Sequence, residues 1–216
     1  MGKIVQSLKI NEIFYSLQGE GNRAGEPSIF IRLQGCSAKN ACLKSGIECD
    51  TEFESGKEMN LVAIEDYIGA RLYNTIRHDY RVKNNMWIVW TGGEPCDQLT
   101  EEIVEYFTDL GYKQAIETSG IKTPPKNLDY ICLSPKVAEH VIEKRFKDIE
   151  IDEIRWVRSK DQEIPQTKLK SKYYYISPHS DGDQLNADNL KWCIELCKHN
   201  PKWRLSIQQH KIWNVR

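Results

Sequence analysis

The feature that most constrains the fold is the alternation of short segments rich in β-branched or aromatic residues with segments of helical periodicity. Strand patterns occur at residues 9–17, 28–33, 86–91, 113–117, 130–134, 153–157, 172–176 and 203–208. Apolar residues at helical spacing occur at residues 61–76, at 101–110 and in a segment that ends near residue 199. Strands that alternate with helices favour a largely parallel α/β sheet, in which ligands bind at the carboxyl ends of the strands.

Each predicted helix has a suitable capping residue. Asn60, Thr100 and either Asn186 or Asp188 can accept a hydrogen bond from an N–H group in the first turn. Gly111 can end the second helix, because glycine adopts the left-handed conformation without a steric penalty. These residues predict where the three helices begin and where one of them ends.

Length and charge limit the possible partners. The 216 residues suit one domain, or two small ones at most. A formal net charge of -1 gives no global attraction to nucleic acid or anionic lipid, so any anionic ligand needs a local site. The longest strongly apolar run, residues 86–90, is far shorter than the roughly 20 residues of a membrane-spanning helix. No targeting signal is apparent, so a cytoplasmic protein without nucleic-acid or membrane partners is expected.

Three of the seven cysteines, Cys36, Cys42 and Cys49, follow strand 28–33 closely. Residues 36–50 show no helix or strand pattern, which predicts a loop at the carboxyl end of that strand. Three thiolates on one loop can hold a soft metal centre, either zinc or an iron–sulfur cluster, and an incidental grouping is the alternative. A structural zinc site normally has four protein ligands. Three cysteines on a cubane cluster, in contrast, leave one iron without a protein ligand and open to another ligand. Cys193 and Cys197 are expected to form a buried stripe on one helix.

Polar residues and glycines follow several of the predicted strands. Consecutive glycines at Gly92 and Gly93 let a ligand approach the backbone, and Glu94 adds a carboxylate; a plain turn is the alternative. The next two strands are followed by Glu117, Thr118, Ser119, Gly120, Ser134, Pro135 and Lys136. Each of these alone could be a helix cap or a turn. Together they predict a polar rim around one face of the sheet.

The N-terminal part of the chain offers further candidates. Gln18 and Glu20 follow strand 9–17 between glycines and could hydrogen-bond a polar heterocycle. Arg32 could pair with an anionic group of a substrate, although a surface ion pair is equally compatible with the pattern. His210, near the other end of the sequence, has the pattern of a surface histidine.

The cysteine loop together with the Gly-Gly-Glu-Pro segment at 92–95 resembles the radical S-adenosylmethionine (SAM) enzymes. Within that superfamily the chain is similar to the 7-carboxy-7-deazaguanine synthase family. The similar segments, in order along the chain, are FYSLQGEG at 14–21, FIRLQGC at 30–36, CDT at 49–51, TGGEP at 91–95, IETSG at 116–120, SPK at 134–136 and WRLS to HK at 203–211.

The resemblance implies a fold and a reaction. The fold would be α/β, a partial (reduced) TIM-type (β/α) barrel in one radical SAM core domain over residues 1–216, assembled as a homodimer. A [4Fe–4S] cluster on Cys36, Cys42 and Cys49 would bind SAM and, with an electron donor such as flavodoxin, release a 5′-deoxyadenosyl radical. That radical would abstract hydrogen from 6-carboxy-5,6,7,8-tetrahydropterin, whose ring would contract with loss of ammonia. The product, 7-carboxy-7-deazaguanine, leads to queuosine and related bases.

The resemblance also implies site residues, with no catalytic side chain beyond the radical held by the cofactor. SAM would contact Glu48, Cys49, Asp50, Gly92, Gly93, Glu94, Ser134, Pro135, Lys136 and Ser177. The pterin would contact Leu17, Gln18, Gly19, Glu20, Arg32, Thr91, Glu117, His210 and Arg216. Thr51 would ligate Mg²⁺, and a tail over about 203–216 would close on the substrate. Glu48 stands where an aromatic residue usually precedes the last cysteine, and Ser177 where the family often has glutamine.

Two other interpretations remain open at this point. Another radical SAM enzyme, such as one that activates a glycyl-radical partner, would keep the cysteine loop and residues 92–95 but would not need Gln18, Glu20 or Glu117. A zinc-stabilised binding module without catalysis would need the cysteines alone. Anaerobic purification distinguishes a brown iron–sulfur protein from a colourless zinc protein.

Overall fold

A nine-stranded sheet organises the part of the chain that the computed structural model describes, which is residues 6–44, 52–76, 86–182 and 184–216. The strands are β1 (Ser7–Leu17), β2 (Pro27–Leu33), β3 (Lys57–Asn60), β4 (Trp87–Gly92), β5 (Lys113–Thr118), β6 (Tyr130–Leu133), β7 (Glu153–Arg158), β8 (Tyr173–Pro178) and β9 (Arg204–Leu205). Their order is β3-β1-β2-β4-β5-β6-β7-β8-β9. β1 pairs antiparallel with both neighbours, and every pairing from β2 to β9 is parallel. β3 and β9 form the two edges, so the sheet is open.

The predicted α/β class with a largely parallel sheet is confirmed. Each of the eight predicted strand segments contains a strand, although segment 203–208 contributes only the two residues of β9. β3 was not predicted, because its sequence Lys-Glu-Met-Asn has no β-branched or aromatic residue. It forms at the sheet edge through its pairing with β1, which local propensity does not report.

The described part of the chain has six α-helices, five between strands and one after β9. They are α1 (Lys39–Lys44), α2 (Leu61–Ile76), α3 (Glu101–Asp109), α4 (Glu139–Arg145), α5 (Ala187–His199) and α6 (Gln209–Trp213). The predicted caps of α2 and α3 are confirmed: Asn60 Oδ1 accepts from Ala63 N at 2.8 Å, and Thr100 Oγ1 accepts from Ile103 N at 3.4 Å. Asn186 rather than Asp188 caps α5, by accepting from Asn189 N at 2.9 Å. None of the described helices has the length and apolar character needed to cross a membrane.

The prediction of a loop over residues 36–50 is wrong for residues 39–44, which form α1. This short helix has no buried residue and therefore no apolar periodicity for the sequence to show. Its first turn is closed by a hydrogen bond from Cys42 N to Ala38 O at 3.0 Å. Residues 45–51 lie outside the described part of the chain.

The two faces of the sheet differ in what they carry. One face packs its aliphatic residues, such as Ile31 and Ile88, against α2 and α3 in the main core. The opposite face, here called the inner face, has a small apolar cluster of Phe30, Val89 and Ala115. Because side chains alternate along a strand, the inner-face residues two positions further on are polar ones. These residues are Arg32, Thr91 and Glu117.

Candidate active site

A cavity of about 250 Å³ lies at the carboxyl ends of the parallel strands. Its lining includes the following residues that the sequence predicts for the site: Glu20, Cys36, Cys42, Thr91, Gly92, Gly93, Glu117, Ser134, Lys136 and Ser177. They come from the turn after β1, the turn after β2, α1, and the ends of β4, β5, β6 and β8. The structure thus brings together residues that are spread over most of the sequence.

Cys36 and Cys42 line this cavity and are only partly buried. Burial raises the pKa of the thiols of Cys96 and Cys132, and it raises that of Cys193 to about 12. Because the thiolate is the form that binds a metal, these buried thiols are poor ligands. The donor set at the cavity therefore fits a thiolate-bound centre at Cys36 and Cys42.

The other predicted residues of the cysteine loop, Glu48, Cys49, Asp50 and Thr51, lie outside the described residues. Among the described residues, no group of three or more histidines, cysteines and carboxylates could hold a metal ion. Of the three predicted cluster ligands, Cys36 and Cys42 belong to the described residues. The roles of Cys49 and Thr51 stay predictions.

The turn that carries Cys36 packs closely against Gly92 and Gly93. Gly93 N donates to Leu33 O, and Glu94 N donates to Gly35 O, both at 3.1 Å. A Cβ atom on Gly93 would lie 1.7 Å from Gly35 O, and one on Gly92, where φ is +112°, would lie 2.4 Å from Leu33 N. The absence of side chains here is what allows the cysteine turn to reach the end of β4.

Glu94 is 1% exposed and uses its carboxylate within the protein. It accepts hydrogen bonds from Thr118 Oγ1 at 2.7 Å, Ser119 N at 2.9 Å, Cys96 N at 3.1 Å and Ser119 Oγ. These bonds join the end of β4 to the end of β5. Glu94 thus braces the cavity wall that Gly92 and Gly93 line, and its predicted contact with SAM stays a prediction.

Polar groups on the far wall come from β6 and β8. Lys136 Nζ donates to Ser134 Oγ at 3.0 Å, and both side chains line the cavity. Pro135, between them, is buried. Ser177 Oγ is buried at the cavity wall and has no hydrogen-bond partner among the described residues. A buried hydroxyl of this kind suits a polar atom of a bound ligand.

A buried ion cluster, which the sequence motifs do not predict, lies at the floor of the cavity: Glu20, Glu117 and Arg155 line the space, and Glu153 is buried in contact with Arg155. The Arg155 side chain is 9% exposed and contacts Glu153 at 2.8 Å, Glu20 at 2.9 Å and Glu117 at 3.6 Å. Although burial favours the neutral form, the Arg155 charge and hydrogen bonds lower the pKa of Glu153. Burial also opposes the charge on Arg155, yet the surrounding negative groups raise its pKa. Glu153 and Arg155 therefore form a buried ion pair, and the Arg155 guanidinium also contacts the carboxylates of Glu20 and Glu117.

The missed residues had a signal in the sequence. Glu153 and Arg155 stand two positions apart on the predicted strand 153–157, so their side chains lie on the same face of it. Charged residues in such positions are rarely buried without partners. His179, Ser180 and Gln208 also line the cavity and had no comparable signal, because they belong to irregular polar segments.

The segment around β9 and α6 covers the turn that follows β1. Gln209 N donates to Gly19 O, and Gly21 N donates to Ser206 Oγ, both at 2.9 Å. A Cβ atom on Gly19 would lie 2.0 Å from His210 Nδ1, so the imidazole lies directly on this glycine. Leu17 ends β1 immediately before this turn.

Arg32 lies on the inner face beside Thr91, its partner in the pairing of β2 with β4. Its Nη1 is 3.9 Å from Glu12 Oε2, and Arg216 also pairs with Glu12. Arg32 Nε is buried and has no hydrogen-bond partner among the described residues. An unsatisfied guanidinium N–H suits an oxyanion of a ligand, although neither Arg32 nor Arg216 lines the 250 Å³ cavity.

Comparison with known proteins gives relatives over nearly the whole chain. The fold is similar to the crystal structure of QueE from Escherichia coli, with a TM-score of 0.65 and 24% identity over 94% of this chain and 95% of that one. The 7-carboxy-7-deazaguanine synthase of Haemophilus influenzae is 34% identical over 218 residues, 97% of this chain and 94% of its own. That of Bradyrhizobium diazoefficiens is 32% identical over 221 residues, 97% and 100% respectively. No protein-family model matches the chain.

An open, largely parallel sheet with a thiol- and carboxylate-lined cavity at its carboxyl edge defines an α/β enzyme core. The sequence relatives specify this class further. The chain belongs to the 7-carboxy-7-deazaguanine synthase family. The resemblance derived from the sequence motifs is confirmed.

Proposed function

We propose that the chain is a radical SAM lyase that converts 6-carboxy-5,6,7,8-tetrahydropterin to 7-carboxy-7-deazaguanine with loss of ammonia. The observation that carries this proposal is the identity of 30–34% with synthases of that name over nearly the full chain. The cavity supports it, because thiols, glycines and carboxylates surround one space. The product would serve the biosynthesis of queuosine and related 7-deazapurines.

We propose that Cys36, Cys42 and Cys49 hold a [4Fe–4S] cluster and that SAM binds beside it. When bound, the cluster and SAM supply the radical that removes hydrogen from the substrate. Gly92 and Gly93 keep the cysteine turn close to the end of β4. Contacts with SAM come from Glu48, Cys49, Asp50, Gly92, Gly93, Glu94, Ser134, Pro135, Lys136 and Ser177. The unpartnered Ser177 hydroxyl supports this assignment.

The pterin is proposed to bind on the inner face of the sheet. Its pyrimidine ring carries N–H donors, which match the carboxylates of Glu20 and Glu117. Its carboxylate would accept from Arg32, whose Nε has no partner among the described residues. The other proposed pterin contacts are Leu17, Gln18, Gly19, Thr91, His210 and Arg216. The segment that lies over Gly19 would exclude water from the bound substrate.

Finer features of the molecule are also proposals. A partial TIM-type barrel in one domain is supported by contacts across the inner face: Glu20 after β1 reaches Arg155 on β7, and Gly19 bonds Gln209 beyond β9. A cytoplasmic location suits cysteines that must remain thiolates. Homodimer assembly and an electron donor such as flavodoxin rest on the family resemblance.

Anaerobic turnover tests the proposed function. Reconstituted protein is incubated with reductant, SAM and the carboxypterin, and the product mass is measured. We expect 7-carboxy-7-deazaguanine together with about four irons per chain. A brown protein that cleaves SAM but leaves the pterin intact would favour a different radical SAM enzyme. A colourless protein with one zinc would overturn the enzyme assignment.

Arg32→Lys should weaken pterin binding about tenfold and leave cluster iron unchanged, because lysine keeps the charge but loses the planar fork that suits a carboxylate. The dissociation constant of the pterin is measured on the reconstituted protein, with Arg145→Lys as the control. Arg145 donates to Gly120 O at 3.2 Å and does not line the cavity. An unchanged affinity in Arg32→Lys would remove Arg32 from the site.

Thr51→Val should lose most of the acceleration that Mg²⁺ gives to the natural protein. The prediction rests on the position of Thr51 two residues after Cys49, where a hydroxyl could serve as a hard oxygen ligand. Turnover is measured across a Mg²⁺ titration, with uncoupled SAM cleavage as the control for an intact cluster. Equal stimulation of both proteins by Mg²⁺ would show that Thr51 is not a Mg²⁺ ligand and has only a local structural role in a turn.

A further inference from the structure

Glu153 fixes the turn between β1 and β2 against β7. Its carboxylate accepts from Asn22 N and from Tyr130 Oη, both at 2.9 Å, and contacts Arg155. A Cβ atom on Gly21, where φ is +69°, would lie 2.1 Å from Glu153 Oε1. The carboxylate is thus packed directly against the backbone of the turn. The Glu153 carboxylate is therefore held in place, and it fixes the position of the Arg155 guanidinium that it contacts.

Arg155 extends from this anchor to two carboxylates that line the cavity. It reaches Glu20 on one side and Glu117 on the other, and it lines the cavity itself. Glu117 is also held by Thr91 Oγ1 at 3.0 Å and by Gln18 Nε2 at 3.2 Å. One guanidinium therefore sets the spacing between Glu20, which follows β1, and Glu117, on β5.

The cluster carries more negative than positive charge. Three carboxylates and one guanidinium leave two formal negative charges on a largely buried floor, which favours ligands that bring N–H donors. Arg23, which interacts electrostatically with Glu117, is paired with Glu26 at 2.9 Å and lies over the Trp87 ring at 3.7 Å. Among the described residues, Arg23, Tyr130, Cys132 and Tyr175 interact electrostatically with groups of the cluster, and Lys136 and His179 line the same cavity.

We infer that Arg155 is a positioning residue, which holds Glu20 and Glu117 at the separation and orientation that the donor-bearing edge of the substrate requires. Glu153 supports it by fixing the guanidinium. This inference rests on the proposed function, because the pterin is the substrate of that function. Arg155 acts through its two carboxylates and takes no part in the chemical step.

Four variants of the reconstituted protein test the inference: Arg155→Met, Arg155→Lys, the double variant Arg155→Met/Glu153→Gln, and the control Arg158→Met. Arg158 lies on the opposite face of β7 and donates to the backbone carbonyls of Glu163 and Val157. The measurements are the dissociation constant of the carboxypterin as a function of pH, uncoupled SAM cleavage, and iron per chain.

Arg155→Met should bind the pterin about 100-fold more weakly, because removing one partner leaves buried charges uncompensated. Without the cation the cluster takes up a proton more readily, so the acidic limb of the binding profile should move up by about one pH unit. The double variant restores two formal negative charges and should reverse that pH shift.

Arg155→Lys should lose about tenfold in affinity with no pH shift. Arg158→Met should stay within about twofold of the natural protein.

Pterin affinity and pH profile unchanged in Arg155→Met would overturn the inference. So would an affinity loss in Arg155→Met without any shift of the pH profile, since this would indicate a packing role alone. If Arg155→Met does not fold, an unchanged affinity in Arg155→Lys overturns the inference. Natural protein that does not bind the pterin contradicts the proposed function instead.

Discussion

Cys42→Ala should abolish turnover and reduce cluster iron from about four per chain to near zero. The prediction rests on two observations: Cys36 and Cys42 line one cavity, and both are half-buried. Losing one of three protein ligands would release the cluster. Iron content and visible absorption after anaerobic reconstitution measure the effect, and Cys36→Ala should behave in the same way.

Cys197→Ala is the matched control for these variants. Cys197 is also half-buried, but it lies on α5, and burial raises the pKa of its thiol. Iron and turnover should be retained, as they should in Cys96→Ala and Cys193→Ala. Full iron retention in Cys42→Ala would show that Cys42 is not a ligand of the cluster.

Gly93→Ala should lower the free energy of unfolding by about 3 kcal/mol and prevent cluster binding. The added Cβ would lie 1.7 Å from Gly35 O, a backbone atom that cannot move aside without displacing the turn before Cys36. Separating the two segments breaks the hydrogen bonds from Gly93 N to Leu33 O and from Glu94 N to Gly35 O. Urea unfolding of the apo-protein and iron content after reconstitution measure the two losses.

Gly69→Ala provides the control for that substitution. Gly69 lies in α2, and a Cβ atom there would meet no other atom within 4 Å. Alanine in a helix should stabilise the protein by up to about 1 kcal/mol, and cluster binding should be unaffected. If both variants unfolded at the same urea concentration, the close approach of Gly93 to Gly35 would not contribute to stability.

Periodicity and caps predicted most elements of the fold, because strands and amphipathic helices leave local patterns. α1 was not predicted because it has no buried residues and so no apolar periodicity. β3 was not predicted because its pairing with β1, rather than the strand propensity of its residues, makes it a strand. The convergence of residues from β4, β5 and β6 was predictable, since the carboxyl ends of parallel strands share one edge. This rule needs only the order of elements along the chain.

Local patterns mark Glu153 and Arg155 as unusual charged residues on a strand, but they do not predict which residues these two contact. Glu20 and Arg155 are 135 positions apart, and their contact depends on how the turn after β1 meets β7. Glu94 shows the same limitation in another form. The motif singles out its carboxylate for a ligand, whereas the structure gives that carboxylate to Thr118, Ser119 and Cys96. Which atoms satisfy a buried charge is a property of the assembled fold.

The hydrogen bond from Gly21 N to Ser206 Oγ links residues 185 positions apart and has a consequence for the order of folding. Contacts at such separation form late, because a long loop must close before they contribute any stability. During synthesis the turn after β1 leaves the ribosome long before the segment at residue 206 exists. The proposed pterin site should therefore form only in the final stage of folding, so partly folded chains would lack an enclosed substrate site.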